Sequence, residues 1–275
     1  MPNTEKTYPF KDLKVEQESD EYPIEKIDPE NLDAIKAYYG FEIENGFSTL
    51  SRGDTVDAMA GLRQRQMRSD ALRAAIVRID GKVAATCEIL LKSGTKGHVF
   101  NEDEARSSGV LVHPEKQGLG LGRIMVAEQE RIAEEAGKKA IISAIDRGND
   151  SSLRLHLGFG FRLDGCDEKK DPPEFHIRKN LEKKPPIAER TSKEIQEHLK
   201  TERDAGRLPV ANEINESSPD QVSIDPKNTN LINQALKQGY VGVYLLRPKD
   251  IPDDPEIYGN FVVFVKAKNL PENQK

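Results

Sequence analysis

The chain has 275 residues, 36% of them hydrophobic and 32% charged, with a formal net charge of -6. The acidic balance argues against a dedicated nucleic-acid binder, whose phosphate contacts need clustered Lys and Arg. No window reaches the roughly 18 apolar residues that a membrane span needs, and the amino terminus has no apolar core of the signal-peptide kind. Cys87 and Cys166 have neither metal-ligand nor redox spacing, so we expect no metal site and a reducing, cytoplasmic location. The charge and the apolar windows lead us to expect neither nucleic acid nor membrane as a partner.

The first part of the chain predicts a strand, two helices and a hairpin. Residues 1–21 are polar and are expected to be loose, and "YPIEKI" (22–27) predicts a strand. Asp28–Pro29 predicts the start of a helix that Gly40 would close. The two β-rich runs on either side of Asp80–Gly81 predict a hairpin, because both central residues of a type I′ turn need positive φ. The second helix is predicted to start near Asp54, with an apolar side formed by Val56, Met59, Ala60, Leu62 and Met67.

The middle of the chain predicts a β-α-β unit. The strand "ARSSGVLVH" (105–113) leads to a helix from Leu121 to Ala136, which Gly137 would end. "KAIISAI" (139–145) is continuously apolar, as expected for a strand that is buried on both faces. A short helix from about Asp150 to Leu157 and strands near "GFRLDG" and "EFHIRKNL" follow. This order predicts a mixed, mostly antiparallel α/β sheet flanked by helices.

The amino-acid composition of the sequence changes near residue 182. "EKKPPIAER" (182–190) is charged and proline-bearing and indicates a linker, and Thr191–Glu194 fits a capping box. "NLINQALKQG" predicts a helix, and "YVGVYLL" and "NFVVFVKA" predict strands. The apolar "NFVVFVKA" must be covered, because a free edge of this kind invites aggregation. We therefore expect a domain over 22–181 and a smaller α+β module of unknown role over 182–275.

The stretch "VHPEKQGLGLGRI" (112–124) places glycines at 118, 120 and 122, directly before a helix. Glycine lets backbone N–H groups approach a ligand closely, and a helix amino terminus favours an anion such as phosphate. The loop lacks the Lys-Ser or Lys-Thr of a Walker A loop, and its G-x-G-x-G spacing is not the dinucleotide fingerprint. The glycines alone also fit a purely structural turn.

The flanking residues narrow these alternatives. Gln117-x-x-Gly120-x-Gly122 after a strand resembles the Q/R-x-x-G-x-G/A acetyl-coenzyme A signature of the GCN5-related N-acetyltransferase (GNAT) superfamily. That family also has an Asn, a short helix with a Tyr and a Gly-Phe pair after the next strand. Here "NDSSLRLHLGFGF" supplies Asn149, then His156 in place of the Tyr, then Gly160–Phe161. The resemblance covers 22–181 and does not reach the carboxy-terminal module.

The resemblance implies an acetyl-coenzyme A cosubstrate and a set of residues that bind it. The backbone of Leu111 and Val112 would pair with the pantetheine arm, and Asn149 would hydrogen-bond that part of the molecule. The alternative for Asn149 is a helix cap. The pyrophosphate would lie against the loop amides of Gln117, Gly118, Leu119, Gly120, Leu121 and Gly122.

The implied reaction is direct attack of a neutral amine on the thioester in a ternary complex, which needs a base and an acid. The family's acid is usually the Tyr that His156 replaces, and a protonated imidazole can donate to the leaving thiolate. "SLRLH" (152–156) is similar to the S-x-x-L-H of relatives resembling phosphinothricin acetyltransferases. Packing between helix and sheet is the alternative for His156. The base is Glu88, His113 or a relayed water.

Ser107 and Ser108 lie beside the expected cleft. One interpretation is that they order substrate or water, and the alternative is that they are ordinary strand residues. The segments "GFEIENGFSTLSRGD" and "SGTKGHVFNEDE" are expected to set specificity, and their acids would attract a cationic amine or simply solvate the surface: Glu42, Glu44, Glu102, Asp103 and Glu104. The predicted function is N-acetylation of a small amine, amino acid or polyamine. Acetylation of a protein lysine or amino terminus docked through the carboxy-terminal module, or a silent acyl-coenzyme A-binding scaffold, are the alternatives. The module could instead form a homodimer.

Overall fold

The computed structural model describes residues 22–47, 55–182, 201, 204–206, 208–247 and 260–269. Its residues group into two compact units, Val15–Ser143 and one that contains Ala144–Lys275, which we name the amino-terminal and carboxy-terminal units. The predicted boundary near residue 182 falls within the second unit, and as a domain boundary it stays a prediction. The segment 1–21 lies outside the described residues.

The amino-terminal unit is built on a sheet with strand order β1-β2-β3-β4-β5. The first four strands pair antiparallel, and β5 pairs with β4 in parallel. This arrangement confirms the predicted mixed, mostly antiparallel sheet. The elements are β1 (Ile24–Lys26), α1 (Leu32–Glu44), α2 (Val56–Arg68), β2 (Leu72–Ile79), β3 (Lys82–Leu90), β4 (Glu104–Val112), α3 (Leu121–Glu135) and β5 (Ala140–Asp146).

Helices cover both faces of this sheet. Successive side chains of a strand point to opposite faces, so Leu72 of β2 packs in the cluster formed with α1 and α2, whereas Ala75 packs in the cluster with α3. On β3, Leu90 belongs to the first cluster and Cys87 to the second. Glu88, two residues from Leu90, therefore points to the α1 and α2 face.

The predicted hairpin is confirmed between β2 and β3. Asp80 has φ 52° and Gly81 has φ 75°, the positive values that a type I′ turn needs at both central positions. Ile79 pairs with Lys82 across the turn.

The predicted end of α1 at Gly40 is wrong. The helix begins after Asn31, whose side chain accepts from the Ala34 N–H, and continues through Gly40 to Glu44. The residue that adopts positive φ is Gly46, at 73°. Buried side chains of the last turns hold the helix together and offset the helix propensity that glycine lacks.

The second helix begins at Thr55, whose hydroxyl accepts from the Ala58 N–H, and the predicted cap Asp54 lies outside the described residues. The predicted apolar side is partly wrong, since Leu62 is 38% exposed while Arg63 is buried. Arg63 was not part of the predicted apolar side, and it is held inside by a buried carboxylate, as the site shows below.

The third helix confirms the prediction almost to the residue. It spans Leu121–Glu135, with Ala136 as its carboxy-terminal cap and Gly137 at φ 69°. Its apolar face covers β2 and β3 through Leu121 and Met125. The glycine loop is therefore fixed at the start of a well-anchored helix.

The carboxy-terminal unit has the strand order β7-β6-β9-β10-β8. The prediction missed β8, whose four residues are too short to show a pattern. The strand "NFVVFVKA" is covered as predicted, because β10 lies between β9 and β8. The elements are α4 (Asp150–Gly158), β6 (Arg162–Asp167), β7 (Glu174–Asn180), β8 (Gln221–Ile224), α5 (Thr229–Lys237), β9 (Tyr240–Leu246) and β10 (Phe261–Lys266).

Strands from after the predicted boundary join the strands before it. Leu163 of β6 pairs with Gly242 of β9. A Cβ at Gly242 would lie 2.9 Å from the Leu163 Cβ and 3.0 Å from Val262 Cγ1. Only glycine allows this close approach, so β9 is fitted to β6 at this point.

The predicted linker from 183 and the capping box Thr191–Glu194 lie outside the described residues. In the part of the chain that the structure describes, no helix has the length and apolar character needed to cross a bilayer.

Candidate active site

The glycine loop leaves a run of backbone donors at the start of α3. Within the described residues, the N–H groups of Gly118 through Gly122 have no recorded acceptor, and Gly120 at the helix start provides no side-chain cap. Arg123 N–H is the first to bond back, to the Gly120 carbonyl at 2.9 Å. Five consecutive free donors and the positive end of a helix dipole form an anion site.

The loop also has the room that a ligand needs. Gly118 and Gly120 adopt φ 86° and 80°, and a Cβ at either position would meet no atom within 4 Å. Residues 117 to 120 are exposed, whereas Leu121 is buried and anchors the helix start. The space in front of Gly118 and Gly120 is therefore open, and the binding of a diphosphate in this loop stays a prediction.

β4 carries the predicted pantetheine-binding residues beyond its pairing with β5. The parallel pairs join Glu104–Arg106 to β5, and β4 then continues to Val112. On its other edge Leu111 pairs with Thr86 and Val112 with Ala85 of β3. At Leu111 and Val112, β3 thus pairs with one edge of β4. A strand that binds an extended ligand must leave one of its edges to that ligand.

A β-bulge interrupts β4 opposite Glu88. Glu88 pairs with Gly109 and Ile89 with Ser107, which leaves Ser108 as the extra residue. A bulge re-aims the side chains next to it. Ser108 is thereby brought to the same face as the Glu88 carboxylate.

Buried Gln129 of α3 fixes this bulge. Its amide donates to the Glu88 carbonyl at 2.8 Å and to the Gly109 carbonyl at 3.0 Å, and its oxygen accepts from the Ser107 hydroxyl at 3.0 Å. Ser107 is therefore a structural residue. The sequence analysis did not predict the role of Gln129, because a polar residue on an apolar helix face gives no local signal of its partner.

The Glu88 side chain lies in a buried cluster of charged and polar groups, with 2% of its surface exposed. The Tyr38 hydroxyl lies 2.9 Å from Glu88 Oε2, and Arg63 Nε lies 3.7 Å from the same oxygen. Lys96 Nζ binds Glu88 Oε1. Tyr38 also contacts Glu42, a second buried acid, at 2.6 Å.

Burial raises the pKa of Glu88 to about 7, although Arg63 opposes the rise. The neighbouring Glu42 raises this pKa further, and hydrogen bonds from Ser108 and Tyr38 lower it. A phenol has one proton, so Tyr38 donates to only one of its two carboxyl partners at a time. A carboxyl group that titrates near neutral pH is suited to accept a proton from an ammonium ion.

Lys96 is the functional candidate that sequence reasoning missed. It lies in the loop "SGTKGHVFNEDE", has φ 53°, and places Nζ 3.4 Å from Ser108 Oγ in addition to its bond with Glu88. A lysine in a glycine-bearing loop is normally a solvated side chain, and only the fold shows where it points.

In the carboxy-terminal unit, His156 is buried on α4. Its Nδ1 lies 2.8 Å from the Ser152 carbonyl, so Nδ1 carries a proton and donates it. Nε2 is buried without a recorded partner in the described residues, and Phe161 packs edge-on against the ring. Burial lowers the pKa of His156. The ring is thus neutral near pH 7, and its role as acid stays a prediction.

Asn149 caps α4, since its side-chain oxygen accepts from the Ser152 N–H at 3.1 Å. Its amide group is not used by this cap, and a coenzyme contact stays a prediction. In the other unit, His113 Nδ1 accepts from the Glu115 N–H at 3.2 Å, which occupies one of the two ring nitrogens of this alternative base. Among the predicted acids, Glu44, Glu102 and Asp103 are exposed.

A family model described as the acetyltransferase (GNAT) family matches residues 41–161. These residues contain the uncapped glycine loop, the β4 bulge and buried Glu88. This part of the chain is therefore similar to the GNAT family of acetyltransferases, in agreement with the resemblance found in the sequence.

Two curated proteins match shorter stretches. The L-amino acid N-acyltransferase MnaT of Escherichia coli is 40% identical over 52 residues, which are 19% of this chain and 30% of that protein. The L-methionine sulfoximine/L-methionine sulfone acetyltransferase of Salmonella typhimurium is 40% identical over 54 residues, 20% of this chain and 32% of that protein. The chain thus matches about a third of the length of these relatives.

Solved structures also resemble the chain. YncA of Salmonella typhimurium, solved with its cofactor acetyl-CoA, gives a TM-score of 0.47 at 19% identity, covering 58% of this chain and 94% of that one. The ribosomal-protein-S18-alanine N-acetyltransferase of Escherichia coli gives 0.42 at 16% identity, covering 58% and 94%.

Proposed function

We propose that this protein transfers an acetyl group from acetyl-coenzyme A to the amino group of a free amino acid. The observation that carries the proposal is Glu88, a buried carboxyl group with a pKa of about 7, beside a β4 bulge in the unit that also carries the glycine loop. The acetyltransferase family of residues 41–161 supports the reaction class. Both curated relatives are named for acylating amino acids or their analogues, which supports the acceptor class.

Acetyl-coenzyme A supplies the activated acyl group as a thioester. The free N–H groups of Gly118 through Gly122 would hold its diphosphate, and the backbone of Leu111 and Val112 would pair with its arm. Glu88 would take the proton from the incoming ammonium, so that a neutral amine attacks. His156 remains the proposed donor to the leaving thiolate.

The groups around Glu88 also fit an amino acid better than a polyamine. An amino acid brings a carboxylate as well as an ammonium, and the buried guanidinium of Arg63 lies beside the base. A polyamine would meet this cation with positive charge alone. Like charges at close range are unfavourable.

The test combines the full chain with acetyl-coenzyme A and a panel of amino acids, polyamines and amino-terminal peptides, while free thiol is followed. We expect release of thiol with amino acids. Turnover restricted to peptides would favour a protein acetyltransferase, and coenzyme binding without turnover would favour the silent scaffold. Either result would contradict the proposed function.

Replacing Tyr38 with phenylalanine is expected to move the pH dependence. The hydrogen bond from Tyr38 lowers the pKa of Glu88, so its loss raises that pKa above the value of about 7. A base acts when it is deprotonated, and the rising limb of kcat/KM against pH should therefore shift to higher pH. An unshifted limb in the variant would show that this contact does not tune the base.

Replacing His156 with phenylalanine tests the acid. Because burial lowers the pKa of His156, the ring is protonated only at the acidic end of the range. If it donates the proton, the ratio of parent to variant turnover is largest at low pH and falls towards one as pH rises. Equal turnover of the two proteins at every pH would remove His156 from the mechanism.

A further inference from the structure

The Lys96 ammonium lies where the acceptor amine of the proposed reaction must lie. Tyr38 and Arg63 approach Glu88 on Oε2, whereas Lys96 Nζ binds Oε1. An incoming amine that gives its proton to Glu88 therefore meets Lys96 at the remaining oxygen. Lys96 is itself a primary amine, held at the base in place of a substrate.

We propose that Lys96 is a self-acetylation site, at which the protein transfers an acetyl group to its own Nζ. The inference rests on the proposed function, because it uses the same donor and the same base. It adds a modification site within the chain, separate from any soluble acceptor.

Lys96 has an energetically unfavourable backbone conformation in this position. A residue with a side chain at φ 53° lies in the left-handed region, which is unfavourable for residues other than glycine. A closed turn maintains it, in which the Gly94 N–H donates to the His98 carbonyl at 2.7 Å. The side chain is 21% exposed, so the amine is turned inward while the site keeps access to solvent.

Neutralising Glu88 alone does not require Lys96, because Arg63 already lies 3.7 Å from the carboxylate and is itself buried. Lys96 also places Nζ 3.4 Å from the hydroxyl of Ser108, the extra residue of the bulge. The amine thus lies against β4, the strand that we propose receives the acyl-bearing arm.

The chemistry balances with the groups already named. Glu88 accepts a proton from the Lys96 ammonium, and the neutral Nζ attacks the thioester carbonyl carbon of acetyl-coenzyme A. The new N–C bond forms and the C–S bond breaks. The nitrogen loses two protons in all: the first stays on Glu88, and the second goes to the leaving thiolate, which departs as the thiol. The product is an amide that carries no charge and cannot form an ion pair with Glu88.

The experiment incubates the full chain with acetyl-coenzyme A and no other amine, and follows acetylation of each lysine by peptide mass spectrometry. Lys92 is the matched control, since it lies four residues away in the sequence, is exposed, and bonds only the Ser69 carbonyl among its recorded contacts. Because an intramolecular reaction gains from proximity, Lys96 should be acetylated at least about tenfold faster than Lys92. The rate per chain should not change with protein concentration.

Three variants complete the test. Glu88→Gln should abolish the modification of Lys96, Lys96→Arg should remove it while keeping the positive charge, and Lys92→Arg should leave it unchanged. Acetylation of Lys96 no faster than that of Lys92, or a rate proportional to protein concentration, overturns the inference. If amino acids are acetylated while Lys96 stays unmodified, only the inference fails. If no amine is acetylated and no coenzyme binds, the proposed function fails and the inference fails with it.

Discussion

Replacing Glu88 with glutamine is expected to lower kcat/KM for the amine by about 10²–10⁴-fold, the usual contribution of a positioned general base. The amide keeps the size of the side chain but cannot accept a proton. In the parent protein the ascending limb of kcat/KM against pH should have its midpoint near 7, because burial raises the pKa of Glu88 to about that value and the base acts in its ionised form. The variant should lose this rising limb, which initial rates between pH 5.5 and 9 would reveal, a span of about 1.5–2 units on each side of that pKa.

Glu128→Gln is the matched control for that loss. Glu128 is another buried glutamate of the same unit, and its carboxylate is paired with Arg131 of the same helix. This variant should retain the parent pH profile. A rising limb that survives in Glu88→Gln, with circular dichroism showing a folded protein, would assign the base to another group.

Replacing Gly120 with valine is expected to weaken coenzyme A binding by at least about tenfold. Gly120 has φ 80°, a conformation that a β-branched residue strongly disfavours, and its Cβ would enter the open space before the N–H groups of α3. A hydrogen bond to a charged group contributes about 1.5–3 kcal/mol, and 1.4 kcal/mol corresponds to a tenfold change in affinity. Loss of even one loop contact to the diphosphate therefore gives the expected change, which titration calorimetry would measure.

Gly137→Val separates ligand binding from backbone strain. Gly137 lies at the opposite end of the same helix, with φ 69° and equally open surroundings. Both variants should lose similar amounts of unfolding free energy in urea, and only Gly120→Val should lose affinity for coenzyme A. Equal affinities in the two variants would exclude the loop as the diphosphate site.

Local signals predicted the features that short stretches of chain determine by themselves. Asp80–Gly81 fixed the hairpin, because its turn needs two residues that tolerate positive φ. Gln117-x-x-Gly120-x-Gly122 predicted the loop and the helix behind it, because small residues and free donors are adjacent in sequence. Glu88 was a candidate base on the same strand where the structure buries it.

The partners of Glu88 could not be predicted, because they come from distant parts of the chain. Tyr38 lies 50 residues away from Glu88, and Arg63 belongs to the second helix, outside the apolar side predicted for it. The length of α1 was also not predicted. A glycine such as Gly40 ends a helix only if no tertiary packing stabilises the turns that follow it. The position of the Lys96 side chain depends on a turn in which Lys96 has a left-handed backbone conformation. The composition of the loop does not indicate this conformation.

The fit of β9 to β6 at Gly242 has a practical consequence for shortened versions of this protein. The family match ends at residue 161 and the predicted linker starts at 182, so trimming of the chain from residue 182 onwards is an obvious step. Such a trimmed polypeptide would lose β9, and the outer backbone groups of β6 near Leu163 would have no partner. An uncovered β edge of this kind recruits neighbouring molecules, so bacterial expression of the shortened form should yield inclusion bodies, while the full-length chain stays in the supernatant.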